Sequence, residues 1–344
     1  MPALESRARE VAPRISVLLP VWNAAVTLPA CLASLRRQTE SDWECALIDD
    51  GSTDASLAIA RACAARDGRL RVLARPRQGL VAALNAGLSE CRGRFIARMD
   101  ADDVMHGERL AAQAEALEAS PALAAIGCHM RLFPSQGIGP GMRAYARWLH
   151  SIDSPERVRE EAFVECPVAH PTLMLRGEWL RELGYRERGW PEDYDLVLRL
   201  LERGAQIGVV ARRLLSWRHA PGRLSRNDVR YTQARFTACK ADFLARSFLA
   251  GGQRYGLWGY GGTGRALARA LREHGKQPLV IVELHPGRIG KTIQGARVIS
   301  PGELDRELGV PLVVSVAGAT ARGQIRAELA KLGFRETRDY VCAA

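Results

Sequence analysis

Short β-branched and leucine runs alternate with helical patterns through the first hundred residues. Ile15 to Leu19 reads as a strand stopped by Pro20, and Thr27 with Pro29 opens a helical pattern through Leu32 and Leu35. A second strand, Cys45 to Ile48, enters the acidic turn Asp49-Asp50-Gly51-Ser52-Thr53-Asp54, where Ser52 and Thr53 are natural N-caps for a helix over Ala55 to Ala65. A third, Leu70 to Leu73, leads through Arg75 to Gly79 into a helix over Leu80 to Leu88. The fourth, Arg94 to Met99, ends at Asp100-Ala101-Asp102-Asp103. This repetition predicts an α/β fold with a parallel sheet and helices on both faces.

Further along, Trp190-Pro191-Glu192-Asp193-Tyr194-Asp195-Leu196 opens an amphipathic helix with Leu196, Leu200 and Leu201 on its apolar side. Asp228 to Leu249 reads as another helix, broken by Gly251-Gly252. A second strand-turn-helix follows: Tyr255 to Trp258, then Gly259-Tyr260-Gly261-Gly262-Thr263-Gly264, then a helix from Arg265 to about His274. Strands over Leu279 to Val282, Val298 to Pro301 and Val313 to Ala317, and a helix over Ala321 to Leu332, would complete a small Rossmann-like α/β domain. The predicted organisation is a tail at 1–13, a first domain at 14–226, a helical linker at 227–252 and the second domain at 253–344. The Gly- and Pro-containing start of the variable region Phe133 to Glu165 reads as a mobile loop.

A chain of 344 residues with 47% hydrophobic and 25% charged residues has ordinary globular composition. The net charge of +11 points either to anionic partners or to an Arg-rich solvated surface. No basic tail and no aromatic stacking platform accompany it, which argues against nucleic acid. The eight cysteines show no metal-ligand spacing and read as reduced thiols. The charged N-terminal segment lacks the apolar core of a signal peptide, and no apolar stretch reaches the length that crosses a bilayer. These features predict a cytoplasmic protein whose basic charge suits the inner face of an anionic membrane.

Carboxylates at the ends of neighbouring strands converge on one crevice in an open α/β sheet. So many negative charges repel unless a cation joins them, and Asp-x-Asp offers the oxygen ligands that magnesium or manganese prefers. A metal there is placed to take a diphosphate. For the acidic turn, helix capping by Ser52 and Asp54 competes with ligand contact. For the carboxylates at the start of the 190s helix, the helix dipole is the competing explanation.

The segments Ile15 to Asn23, Asp49 to Asp54, Gln78 to Gly87 and Asp100 to Asp103 occur in an order and spacing that resembles the family 2 glycosyltransferases. The resemblance covers roughly residues 14 to 225. It implies the GT-A fold, a nucleoside-diphosphate sugar donor, a divalent cation and an inverting single displacement onto a glycan or lipid-linked acceptor. It also implies a setting in bacterial surface polysaccharide or glycoconjugate synthesis. By the same resemblance, Pro20, Val21 and Asn23 line the nucleotide pocket, Asp50 with Asp49 contacts base or ribose, and Asp100 with Asp102 meets ribose and metal. Trp22 stands where a tyrosine is common. Asp193 would be the catalytic base, with Glu192 its nearest rival. Arg218, His219, Arg223 and Ser225 resemble the Arg-x-His loop that covers the diphosphate, with Arg218 on the donor and His219 on the metal. His170 matches an acceptor-side position.

In the second domain, Gly259, Gly261, Gly264 and Glu283 form a dinucleotide-type fingerprint without an evident hydride-transfer set. That domain is similar to the small module at the front of sugar acyltransferases. NAD, another nucleotide or a purely structural role all fit the pattern. The competing functions are therefore a nicotinamide-dependent oxidoreductase and a nucleotide-sensing scaffold.

Overall fold

The computed structural model describes residues 12–219, 222, 227–306 and 309–344; Arg223 and Ser225 of the expected diphosphate loop lie outside them. Packing divides the chain into two units. One comprises residues up to Pro140 with Ala169–Tyr185 and Gln206–His219, the other Gly141–Val168, Arg186–Ala205 and Ala220–Ala344.

In the first unit, Ile15–Val21 (β1) is buried along its whole length, as a strand covered on both faces must be. It pairs in parallel with Trp43–Asp50 (β2) on one side and Phe95–Arg98 (β4) on the other. The strand runs through Pro20 instead of stopping there. Pairing with β4 ends at Leu18 opposite Arg98, so the missing N–H of Pro20 takes no bond from that neighbour. Leu70–Arg75 (β3) extends the parallel set beyond β2. Helices Leu28–Arg36 (α1), Ser56–Ala64 (α2) and Leu80–Glu90 (α3) connect these strands.

Beyond β4 the sheet becomes mixed. Val104–Met105 (β5), Leu123–Phe133 (β6), Met174–Arg176 (β7) and Gln206–Arg218 (β8) complete the order β3-β2-β1-β4-β7-β6-β8-β5. The strands β6 and β8 pair in parallel, whereas β7 runs antiparallel to both β4 and β6, and β5 antiparallel to β8. The wholly parallel expectation fails there because β7, three residues long between β4 and β6, runs antiparallel, and antiparallel neighbours need no helical crossover. Arg109–Ala119 (α4) and Gly177–Leu183 (α7) are the remaining helices of this unit.

After its Gly- and Pro-containing start, the region from Phe133 to Glu165 contains two helices, Pro140–His150 (α5) and Pro155–Glu161 (α6). Ser154 caps the second by accepting from the Arg157 amide at 3.3 Å. In the second unit Glu192–Glu202 (α8) and Gln233–Arg246 (α9) join a six-stranded sheet. Its strands are Arg254–Trp258 (β9), Gln277–Val282 (β10), Thr292–Ile293 (β11), Ala296–Ile299 (β12), Leu312–Val314 (β13) and Tyr340–Cys342 (β14). They lie in the order β11-β12-β10-β9-β13-β14, parallel except for β11. Gly262–Glu273 (α10) and Ala319–Lys331 (α11) flank the sheet. Leu244 and Leu249 share one buried cluster with Tyr255, Leu257, Leu271 and Val313, so α9 packs as part of this core.

Candidate active site

β1 and β2 end side by side, with Val21 opposite Asp49. Both acids at the end of β2 are buried, yet they are held differently. Asp50 accepts the amides of Gln78 at 3.0 Å and Gly79 at 2.7 Å, with Arg75 Nε 3.7 Å and Arg77 Nη1 3.6 Å away. It thus anchors the loop that leads into α3. Asp49 accepts the Ser52 amide through Oδ2 at 3.2 Å, while its buried Oδ1 has no hydrogen-bond partner among the described residues. An unsatisfied buried carboxylate oxygen asks for a donor that a ligand can bring.

The neighbouring turn is a lattice of backbone bonds. Asn23, at φ +46°, donates its amide to Ser52 Oγ at 3.0 Å and accepts the Thr53 amide at 2.8 Å. Asp54 accepts the amides of Ala25 at 3.0 Å and Ser56 at 2.9 Å. Ser52 and Thr53 are therefore not the caps of α2, which starts only at Ser56, because Asn23 already engages both. Trp22 is 47% exposed and carries the Arg77 guanidinium 3.3 Å from its ring centre. The position offers a flat face, as the usual tyrosine would, with a cation on it.

After β4 the chain turns through the second acidic cluster. Asp100, Asp102 and Asp103 bring ligand oxygens within 4.8 Å of one another, the one such group of three among the described residues. Short antiparallel pairing of β5 with β8 sets Val104 opposite Ser216 and brings Arg218 onto the cluster. Its amide donates to Asp103 Oδ1 at 2.7 Å and its Nε to the Asp102 carbonyl at 2.7 Å. His219 follows directly, its amide bonded to the Phe133 carbonyl at 2.7 Å. Behind the cluster, buried Arg98 donates to Asp100 Oδ1 at 2.6 Å and buried Arg109 to the Arg98 carbonyl at 2.9 Å. A set of three close carboxylates with hard oxygen donors fits magnesium or manganese.

His170 lies in the 3-10 turn His170–Thr172, its Nε2 3.1 Å from the Tyr185 hydroxyl. Burial, with nearby Arg98 adding to it against Asp100, holds its pKa well below the usual 6.5. The imidazole is accordingly neutral at physiological pH and can accept or donate one hydrogen bond.

In the second unit, the three acids at the start of α8 have separate fates. Asp195 is fully buried and paired with Arg186 at 2.7 Å and Arg199 at 2.6 Å, so it is structural. Glu192 is buried and accepts the Tyr231 hydroxyl at 2.6 Å. Asp193 keeps part of its surface open and accepts the amide of the following residue, Tyr194, at 2.8 Å. Burial, then repulsion from Glu192 and Glu165, pushes its pKa up to about 8. A helix dipole alone would lower it, so the neighbours win.

Sequence reasoning assigned no part to Asp103, Arg98, Arg109 or Tyr231. An arginine at the end of an otherwise apolar strand was the available signal for Arg98; Tyr231 meets Glu192 only through the fold.

Glycosyl transferase family 2 matches residues 16–184. The protein named as glycosyltransferase EpsE of Bacillus subtilis is 34% identical over 198 residues, 56% of this chain and 68% of EpsE. The chain belongs to the family 2 glycosyltransferases. Other curated relatives are matched over as little as 15% of their own length. Two solved structures share the transferase's fold. TarS 1–349 of S. aureus, in complex with UDP-GlcNAc, has a TM-score of 0.56 and 18% identity, covering 76% of this chain and 72% of that one. The mannosyltransferase PcManGT of Pyrobaculum calidifontis, in complex with GDP-Man and Mn2+, has a TM-score of 0.50 and 20% identity, covering 70% and 65%. The first sheet is thus a GT-A sheet. Among the described residues, no helix is long and apolar enough to cross a membrane.

Proposed function

We propose that this transferase moves a sugar from a nucleoside diphosphate to a glycan or lipid-linked acceptor by a cation-dependent inverting displacement. The setting is synthesis of a surface polysaccharide or glycoconjugate at the cytoplasmic face of a membrane. The convergence of Asp100, Asp102 and Asp103 carries the reading. Asp102, with Asp100, Asp103 and His219, would hold magnesium or manganese, which would neutralise charge on the departing diphosphate. Asp49 and Asp50, with Pro20, Val21 and Asn23, receive the nucleoside, and Arg218 pairs with phosphate.

Asp193 takes the proton of the acceptor hydroxyl. The acceptor oxygen bonds to the anomeric carbon as the bond to the diphosphate oxygen breaks, so configuration inverts. The Glu192 charge raises the basicity of Asp193, and neutral His170 serves the acceptor side.

Calorimetry with uridine, guanosine and thymidine diphosphates, each with manganese or with chelator, tests the donor half. One diphosphate binds with manganese and loses at least about tenfold affinity with chelator or in Asp102→Asn. Equal binding of every base, indifferent to metal and to that substitution, defeats the reading.

A further inference from the structure

The second sheet holds a feature that sugar transfer does not use. A cavity of about 740 Å³ lies where β9, β10 and β13 end, lined by residues that follow each strand. The chain goes from β9 to β10 on one side and later returns to β13 on the other, so this is the sheet's switch point. Open α/β sheets bind ligands there, and the volume is in the range of small-molecule sites.

Trp258, Val282, Val316 and Ile325 supply apolar wall, which suits a base or a ribose face. The glycines of the turn each meet a distinct requirement. Gly259, at φ +92°, makes the turn. A Cβ on Gly264 would stand 2.1 Å from the Gly259 carbonyl and 2.7 Å from Ser315 Oγ, so only glycine lets α10 start this close to β9. At Gly261 and Gly262 a Cβ would meet nothing within 4 Å, which leaves bare backbone facing open space beside the cavity they line. The first bond of α10 runs from the Arg265 amide to the Gly261 carbonyl at 3.0 Å, so earlier amides lack helical acceptors. No acidic side chain occupies that first turn. Anions bind at such a terminus.

Beyond β10, Glu283 stands at about the 20-residue separation that a ribose contact uses. Its carboxylate accepts the Leu284 amide at 2.9 Å and Arg288 at 3.0 Å, which leaves acceptor capacity for hydroxyls. Arg288 also donates to the Tyr260 carbonyl at 3.2 Å, so one cation joins the acid to the glycine turn.

We propose that this cavity is a second nucleotide site, built from residues other than the donor set, that takes a ribonucleoside 5′-diphosphate group. The diphosphate sits on the α10 terminus and the ribose hydroxyls on Glu283. A nucleotide-sugar and a dinucleotide both carry that group, and binding needs no divalent cation.

The test is calorimetry on the full chain in chelator, with UDP, UDP-GlcNAc, ADP and NAD as probes. One of them binds the wild type and Asp102→Asn equally, and weakens at least about tenfold in both Gly261→Val and Glu283→Gln. UDP or UDP-GlcNAc binding best names the nucleotide-sugar class; NAD binding best names the dinucleotide. Thermal melting of each variant checks that it is folded, and Glu283→Gln adds no bulk. No binding of any probe at millimolar concentration overturns the proposal, as does binding that ignores both cleft substitutions. Neither result bears on manganese-dependent donor binding, which Asp102 alone reports.

Discussion

Asp193 and Asp195 are chemically identical and two positions apart, yet the fold surrounds them differently. Resemblance could choose between them, but the physical reason is tertiary: Arg186 and Arg199 occupy Asp195, whereas Asp193 faces Glu192 and Glu165. A base must be ionised to act, so a pKa pushed up to about 8 makes transfer rise with pH through that region and level off above it. Replacing Glu192 by Gln removes a repelling charge, lowers the Asp193 pKa and moves the rising limb to lower pH. Asp193→Asn loses roughly 10²–10⁴ in rate and retains donor affinity. Initial rates of diphosphate release across pH, beside donor titrations, check all of this; an unshifted limb in Glu192→Gln removes Asp193 as the titrating base. Asp49 and Asp50 stood out as candidates because they end β2, and Asp100 and Asp102 because they follow β4. Arg98 and Arg109 did not, since a buried guanidinium has meaning only with its partners.

At the scale of elements, hydrophobic runs were read most reliably where strands are buried on both faces, as in β1 and β2. The same rule missed β7, whose three residues are too few to show a period. It also assigned no helix to α5 and α6, which follow a Gly- and Pro-containing start. Trp148 on α5 donates to Glu161 on α6 at 2.8 Å, a partnership no local pattern contains. One turn between elements sets the pairing that delivers the acidic cluster. Gly93 precedes β4, and its amide donates to Ser16 Oγ on β1 at 2.7 Å. A Cβ there would lie 2.4 Å from the Ser16 amide nitrogen, a backbone atom in a central strand that cannot move aside cheaply. Gly93→Ala should destabilise the fold by about 1–3 kcal/mol, read from denaturant midpoints at unchanged slope. A loss below about 0.5 kcal/mol would show that β1 yields more easily than its burial implies.

For the whole molecule, sequence suggested a cut at Gly251-Gly252, whereas packing groups Gly141–Val168 and Arg186–Ala205 with the C-terminal sheet. The ties responsible span long separations, such as Arg326 to Glu161 at 2.9 Å and Lys240 Nζ to the Val164 carbonyl at 2.6 Å, so composition along the chain could not announce them. Charge shows the same contrast. A chain of net charge +11 still gathers Asp100, Asp102 and Asp103 in one place. A cation that binds these acids only in the folded state would couple metal binding to stability. At a hundredfold excess over its dissociation constant, manganese should add roughly 2.7 kcal/mol to the fold that holds the cluster. Asp102→Asn should remove that response. Asp103→Asn should instead weaken the chelated protein, since Asp103 holds the Arg218 amide. Melting curves of the three proteins with manganese and with chelator separate these outcomes. A wild type that melts identically in both would mean that Arg98 and Arg218 already balance the acids and that no ion belongs there.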